Sequence, residues 1–210
     1  MNPARIAELL EPFLDPAGDR PTAGDLERIS TYIDILLRWN ARINLTAVRD
    51  PEHIVTRHFG ESLFAARHLF PARVETATLA DLGSGAGFPG VPIKLWAPGF
   101  ALTLIESNGR KASFLRELTR ALALTDINVF HGRAEDLAVS FDLVTLRAVE
   151  RFERALPVAA RLLASDGRLA LLIGASQVNS ARTLLPSFSW CDPLPVPQST
   201  SRVLLLGSRT

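Results

Sequence analysis

The sequence predicts an α/β protein: a doubly wound, mostly parallel sheet with an N-terminal helical cap and a C-terminal antiparallel hairpin. Three observations predict it. From Thr78 onward, short apolar runs alternate with amphipathic ones, the β-α order of right-handed crossovers between parallel strands. Several of those runs, Leu102-Thr103-Leu104-Ile105 and Leu169-Ala170-Leu171-Leu172-Ile173 among them, are apolar nearly throughout, as suits strands covered by helices on both faces. Between Leu79 and Gly90 an apolar strand breaks into closely spaced glycines and then resumes as a helix. At such a turn an open α/β sheet binds a nucleotide-like ligand.

Taken in order, residues 3 to about 14 carry Ile6, Leu9, Leu10 and Phe13 on one side and predict a short amphipathic helix, ended by Asp15-Pro16-Ala17-Gly18. From Thr22 to about Asn40, Leu26, Ile29, Ile33, Leu36 and Leu37 recur at helical spacing, making a helix-to-sheet core. Residues 39–46, Trp39 to Thr46, lose that period and read as a turn. Asp50 as N-cap and Pro51 at the first position start a third helix that runs to near Pro71. Strands follow at 78–82, 101–106, 127–131, 141–147 and 167–173, with helices at about 89–97, 108–122, 151–164 and 176–185. Residues 186–197 are rich in proline, and Val203-Leu204-Leu205-Leu206 forms a last strand close behind, which predicts a hairpin added to the sheet edge. The reading divides the chain into a cap, 1–75, and a ligand-binding domain, 76–210, within one compact unit.

Composition narrows the function. A net charge of +1 argues against a protein that coats nucleic acid, while leaving room for a local basic face. Only two of 23 basic residues are lysines, Lys94 and Lys111; an arginine excess suits RNA contact, and also follows from genomic base composition alone. Cys191 is the single cysteine, so neither an intrachain disulfide nor a cysteine-based zinc site is expected. His53, His68 and His131 have no metal-ligand spacing. Glu8, Glu11 and Asp15 interrupt any signal-peptide pattern, and no apolar run reaches spanning length, so a cytoplasmic protein with no membrane partner is expected. Trp39, Trp96 and Trp190 read as packing residues, and Cys191 as a partly buried thiol.

The glycine turn fits two patterns. Gly85-Ala86-Gly87-Phe88-Pro89-Gly90 matches the dinucleotide fingerprint G-x-G-x-x-G, and Asp81 through Gly87 matches D-x-G-x-G-x-G, the S-adenosylmethionine pattern. A pyrophosphate needs bare N–H groups at the helix start and would be repelled by Asp81 at the strand end. A sulfonium and an ammonium would be attracted by that carboxylate, directly or through water. Glu106, ending the next strand, is placed to accept hydrogen bonds from two ribose hydroxyls under either reading.

Further stretches carry a resemblance. Trp39-Asn40 with Asn44-Leu45-Thr46, His58-Phe59 with Ser62-Leu63, Asp81 through Gly90, Glu106-Ser107-Asn108-Gly109-Arg110-Lys111 with Phe114-Leu115, Gly132-Arg133-Ala134-Glu135, Arg147-Ala148-Val149 and Arg202-Val203-Leu204 resemble the bacterial 16S ribosomal RNA guanine-N7 methyltransferases, the glucose-inhibited division protein B family. The likeness runs from about residue 25 to the C-terminus. It implies a class I S-adenosylmethionine-dependent methyltransferase fold, S-adenosyl-L-methionine as cofactor, and 16S ribosomal RNA or the small ribosomal subunit as partner. By resemblance, Gly83, Ser84, Gly85 and Gly87, flanked by Asp81 and Phe88, cradle the cofactor; Glu106 and Ser107 hold its ribose; Ala134 and Glu135 border its adenine. Arg133 and Arg147 lie near the methyl donor and the RNA, and Asn40, Asn44, Arg57 and His58 line the cap side, with Arg133, Arg147, Asn44 and His58 as the catalytic candidates. Arg38, Arg42, Arg49 and Arg151 are further candidates for phosphate contact.

The sequence departs from the family at three places. Ile173-Gly174 stands where members commonly have Lys-Gly, residues 175–178 lack an acid that tends to follow, and Glu61 replaces an aspartate. Guanine N7 has an exposed lone pair, so the implied displacement at a sulfonium methyl needs no nucleophilic residue, general base or metal, and orientation supplies most of the catalysis. A monomer suffices. Two other functions stay open on the residues: a nicotinamide-dinucleotide oxidoreductase, from G-x-G-x-x-G, and a non-catalytic RNA-binding or assembly factor, from Ile173.

Overall fold

A computed structural model describes residues 1–73, 76–148 and 151–209. Val149 of the Arg-Ala-Val stretch, and Glu75 at the expected domain boundary, lie outside the described residues. The cap opens with α1 (Pro3–Leu10), whose first turn is capped by the Asn2 side chain accepting from Ala4 N–H; a single 3₁₀ turn, Glu11–Phe13, follows. α2 (Ala23–Asn40) starts at a reciprocal cap, Thr22 with Asp25, each side chain taking the other's backbone N–H. Its apolar stripe contains the expected Ile29, Ile33 and Leu36, and also Tyr32, which is fully buried.

The third helix is not continuous. α3 (Pro51–Ile54), capped by Asp50, widens into a π-helical turn, Val55–Gly60, before α4 (Glu61–Leu69). The widening coincides with close packing: a Cβ at Gly60 would lie 2.6 Å from the Phe13 ring. Wide turns of this kind recur at functional sites, and this one carries Arg57 and His58.

The strands are β1 (Thr78–Leu82), β2 (Ala101–Glu106), β3 (Ile127–His131), β4 (Phe141–Arg147), β5 (Leu163–Gly174), β6 (Phe188–Trp190), β7 (Leu194–Pro195) and β8 (Arg202–Arg209). They order as β3-β2-β1-β4-β5-β8-β6, with β7 beside β8; β1 to β5 run parallel and β8 runs antiparallel to β5. The expected hairpin is present, but its returning strand sits inside the edge. β8 pairs with β5 from Arg168↔Ser208 to Gly174↔Arg202, and the proline-rich stretch contributes β6 and β7 on its far side. Crossover helices are α5 (Gly90–Trp96), α6 (Gly109–Ala121) and α7 (Phe152–Arg161), with α8 (Val178–Leu184) after β5.

Strand parity divides the core. Leu79, Leu102, Leu104, Leu143, Ala170, Leu172 and Leu204 face the cap with α5 and α6, while Ala80, Ile105, Val144, Leu146, Leu169, Leu171, Ile173, Val203 and Leu205 face α7 and α8. The same alternation puts Asp81, Thr145, Arg147 and Arg202 on the cap face at the C-terminal ends of the parallel strands. Trp96 is buried and Trp39 packs against the first cluster; Cys191 is exposed, correcting the partly buried expectation, because it lies in the loop leaving β6. Among the described residues no helix is long and apolar enough to cross a membrane.

Candidate active site

The glycine turn is held from beneath by Asp81. Register places Asp81 between Leu104 of β2 and Thr145 of β4. Its carboxylate accepts from Thr145 Oγ1 at 2.8 Å and from Gly90 N–H at 3.4 Å, and Ser84 Oγ donates to its carbonyl at 2.8 Å. A Cβ on Gly90 would meet the Asp81 side chain at 2.9 Å, so glycine is what lets α5 start here. Burial pushes the Asp81 carboxyl up to about 6, against the pull of the Thr145, Ser84 and Gly90 bonds and Arg147. The sequence reading has Asp81 attract a cationic ligand directly or through water. The strand turns its carboxylate inward, where Thr145 and Gly90 hold it.

Glu106 closes the turn from the other side. Its Oε2 accepts from Gly85 N–H at 2.9 Å and its Oε1 from Asn108 N–H at 2.7 Å, joining the turn to the start of α6. Gly83 and Ser84 N–H both reach the Ile105 carbonyl at 3.0 Å. Each carboxylate oxygen of Glu106 retains a lone pair. Ser107 is exposed beside it. The loop after β3 lies alongside, with Gly132 N–H on the Glu106 carbonyl at 3.2 Å. Ala134 is buried and Glu135 exposed, and both carbonyls are pinned by Arg161 of α7, at 2.9 and 3.1 Å. Arg133 is exposed; its N–H bonds Asp136 at 3.3 Å.

The cap reads the turn through aromatic contacts. Tyr32 of α2 donates its hydroxyl to the Ala86 carbonyl at 2.5 Å. The Phe88 ring stacks on Tyr32 (5.1 Å, 6°) and on His58 (4.7 Å, 29°), with Phe59 edge-on at 5.1 Å. Phe88, which precedes a cis Pro89, is 6% exposed. Enclosed by those rings, it works as a wedge between cap and turn and leaves little surface for a ligand. Gly87, at φ +91°, has no space for a side chain: a Cβ there would overlap the Tyr32 hydroxyl.

Behind Phe88 lies a buried charge cluster. Arg147, at the end of β4, donates to Glu61 Oε2 (3.0 and 3.2 Å) and the Arg57 carbonyl (2.6 Å), and its NH2 is 3.0 Å from His58 Nδ1. An arginine only donates, so Nδ1 is the bare nitrogen and Nε2–H is the donor to Thr46 Oγ1, 2.8 Å away. Burial first, then Arg147 and Arg57, drives His58 down to about 3, so the imidazole is neutral. Arg202 enters from β8, its Nε 3.0 Å from the same Glu61 oxygen without hydrogen-bond alignment, and its NH2 on the Leu172 carbonyl at 3.1 Å.

The structure thus brings Gly83, Ser84, Gly85, Gly87, Glu106 and Ser107 together around one turn, with Ala134 and Glu135 beside it. Arg147 and His58 form a second group, packed inside the cap interface rather than open to the cleft. Their burial follows from Glu61, whose 3% exposure requires a cation to pair with it. Asn44 is exposed and joins neither group, while Asn40 is a loop staple, its side chain bonding Leu45 N–H, Thr46 N–H and the Thr46 carbonyl. Arg38 pairs with Glu117 at 2.9 Å, and Arg42, Arg49, Arg57 and Arg151 are exposed. Ile173 faces α7 and α8, is 4% exposed and pairs with Val203, so this position opens onto neither group. Sequence reasoning missed Tyr32, Thr145 and Arg161. Tyr32 had a signal: it is the chain's single tyrosine, on the buried stripe of α2, where a hydroxyl needs a partner.

The arrangement favours a cationic ligand over a pyrophosphate. The amides that an anion would use, those of Gly85 and Gly90, already bond carboxylates. S-adenosylmethionine suits the same features: glycines without side chains, a carboxylate with free lone pairs for a ribose diol, and negative charge nearby. Residues 25–192 match the model of the GidB family, rRNA small subunit methyltransferase G. The ribosomal RNA small subunit methyltransferase G of Xylella fastidiosa is 40% identical over 175 residues, 81% of this chain and 80% of that protein. Among solved structures, a ribosomal protein L11 methylase from Lactobacillus delbrueckii superposes with a TM-score of 0.61 at 19% identity, covering 73% of this chain and 79% of that one. M. jannaschii TYW2 in complex with AdoMet superposes at 0.56 and 12%, covering 71% and 77%. At such identities the two structures speak for the fold alone, that of class I methyltransferases. The chain belongs to the GidB family of S-adenosylmethionine-dependent small-subunit rRNA methyltransferases.

Proposed function

We infer that this protein transfers a methyl group from S-adenosyl-L-methionine to N7 of a guanine in 16S ribosomal RNA, as the family it belongs to supports. The observation that carries the reading is the pair of carboxylates on the glycine turn, Asp81 on Gly90 and Glu106 on Gly85. When bound, the cofactor supplies a methyl group activated by a sulfonium. Gly83, Ser84, Gly85 and Gly87 hold it against the main chain, Glu106 accepts from its ribose, Ser107 lies next to that contact, and Ala134 with Glu135 flanks the base. Asp81 contributes negative charge from beneath the turn. His58 of the cap orients the turn by stacking on Phe88, with Arg147 of β4 behind it. Guanine N7 attacks with its own lone pair, so the protein has no proton to remove and no metal to supply; its task is to align and to exclude water.

The cap, 1–75, and the exposed arginines 42, 49, 133 and 151 form the face offered to RNA, with the target base unstacked from its neighbours. Arg133 and Asn44, both exposed, act on the substrate, and the protein acts as a cytoplasmic monomer. Small subunits from cells lacking the protein, incubated with labelled S-adenosylmethionine, should take up one methyl group at a single guanine of 16S RNA. Cofactor binding without label in the RNA would favour a non-catalytic assembly factor. Calorimetry with S-adenosylhomocysteine and NAD gives the second test, in which tight NAD binding alone would reverse the reading.

A further inference from the structure

Beside the charge cluster, between the π-helical turn and the loop entering β8, lies a cavity of about 300 Å³. Thr56, Arg57 and Glu61 line one side, Ser199, Thr200 and Arg202 the other. We propose that this cavity seats one backbone phosphate of the substrate RNA next to the target nucleotide, with Arg57 and Arg202 as its cations; the proposal rests on the RNA-methylating reading above.

Charge is the first argument. Arg147 and Arg202 share a single carboxylate, Glu61, Arg57 stands beside them with its carbonyl on Arg147, and His58 is neutral, so three cations against one anion leave the cluster at +2. Glu61 does not repel an incoming anion strongly, because its Oε2 is shared by Arg147 and Arg202 and the residue is 3% exposed. The Arg57 guanidinium is exposed and, among the described residues, pairs with no carboxylate, while its carbonyl accepts from Arg147. A cation held at a cavity mouth by its own backbone, with its side chain uncommitted, is suited to a mobile anion.

Chemistry and size agree. The far wall is a hydroxyl-bearing loop in which Ser199 Oγ accepts from Arg202 N–H at 3.1 Å, fixing Arg202 at the start of β8, while Thr200 and Ser201 are exposed. Hydroxyls, guanidinium and backbone groups are the partners phosphates find in nucleic-acid interfaces. About 300 Å³ is at the low end for a ligand pocket, suiting a phosphate with its sugar rather than a base pair or a larger cofactor. Position fits as well. β8 is three strands from β1, about 14 Å at the usual strand spacing, so the cavity is separate from the glycine turn yet on the same end of the sheet.

The test uses the full-length protein and unmethylated small subunits. Arg57→Ala should weaken subunit binding and reduce the slope of log K against log[salt] by about 0.7–0.9, the share of one phosphate contact. Arg57→Lys should restore the slope. Thr200→Glu, on the opposite wall, should weaken binding at low salt by about tenfold, while S-adenosylhomocysteine affinity stays at the wild-type value in all three variants. An unchanged slope in Arg57→Ala, or a Thr200→Glu protein that binds subunits like wild type, overturns the cavity's role, as does an equal loss of S-adenosylhomocysteine affinity. If the wild type itself methylates no subunit, the underlying reading fails and the cavity's assignment with it; if it does and Arg57→Ala matches it, the cavity's assignment alone fails.

Discussion

Tyr32→Phe and Gly87→Ala, made singly and together, test whether the cap holds the glycine turn in shape. Tyr32 is fully buried between Phe59 and Phe88, so its hydroxyl has no water to turn to, and removing it leaves the Ala86 carbonyl without its partner. A buried acceptor left unmatched costs about 1–3 kcal/mol. Part of that is lost as stability and part as order in the turn. If half of it appears in the turn, S-adenosylhomocysteine affinity falls roughly 2–12-fold, for about 0.5–1.5 kcal/mol. Gly87→Ala carries two penalties. An alanine at φ +91° costs about 1–2 kcal/mol for its backbone, and its Cβ runs into the Tyr32 hydroxyl, with Val91 at 3.2 Å and Leu115 at 3.4 Å, an overpacking that costs about 1–3 kcal/mol. Phenylalanine in place of Tyr32 removes the atom that clashes most. Gly87→Ala should therefore be about 1–3 kcal/mol less costly in the Tyr32→Phe background than alone, a coupling of that size in a double-mutant cycle. Urea unfolding of the four proteins measures the stability part, and calorimetry with S-adenosylhomocysteine the affinity part. Additive stabilities within about 0.5 kcal/mol, or a Tyr32→Phe protein that binds like wild type, would refute the reasoning.

The charged groups give three more predictions. The Asp81 carboxyl is raised from 3.8 to about 6, so ionising it costs the fold up to about 3 kcal/mol; stability that is present below pH 4 is lost as pH rises through 6. Asp81→Asn can keep both bonds, its oxygen on Gly90 N–H and its amide on Thr145 Oγ1, so its melting temperature should gain on wild type between pH 4 and 8, and a constant difference across that range would contradict this. Glu61→Gln leaves Arg147 and Arg202 without a counter-charge and should lower the melting temperature by roughly 6–20 °C, from about 3–5 kcal/mol at 2–4 °C each; a loss under about 3 °C would mean that the pair adds little. Glu106→Ala frees Gly85 and Asn108 N–H and removes the acceptor for the ribose, so S-adenosylhomocysteine affinity should fall at least tenfold in calorimetry while adenine-free methionine binding is unaffected; an unchanged affinity would remove Glu106 from the site.

The parts of this site that the sequence made legible are those set within one strand–turn–helix unit. Asp81, Gly83, Gly85, Gly87 and Glu106 have roles fixed by local order: a strand end, a turn that needs left-handed backbone, the next strand end. The alternation of apolar runs likewise foretold the parallel strands, because a strand covered on both faces leaves a run of Leu, Ile and Val whatever its neighbours are. Residues whose role depends on strand order were not legible in the same way. Arg147 reads as a strand-end cation facing the cleft until β4 is known to lie between β1 and β5, with β8 next, which puts Glu61 and Arg202 on the same face. Its burial and the bare Nδ1 of His58 then follow together. Asp81 is the sharper case. The motif marks a carboxylate at the strand end, yet its direct partner is Thr145, visible only once β1 and β4 are paired in register. The π-helical turn at Val55–Gly60 leaves no periodic trace either, because Gly60 answers to the Phe13 ring 47 positions earlier in the chain. What local pattern cannot encode is the coupling of cap to turn, and that coupling rests on Tyr32, Phe88 and His58, three rings from three elements meeting at one stack.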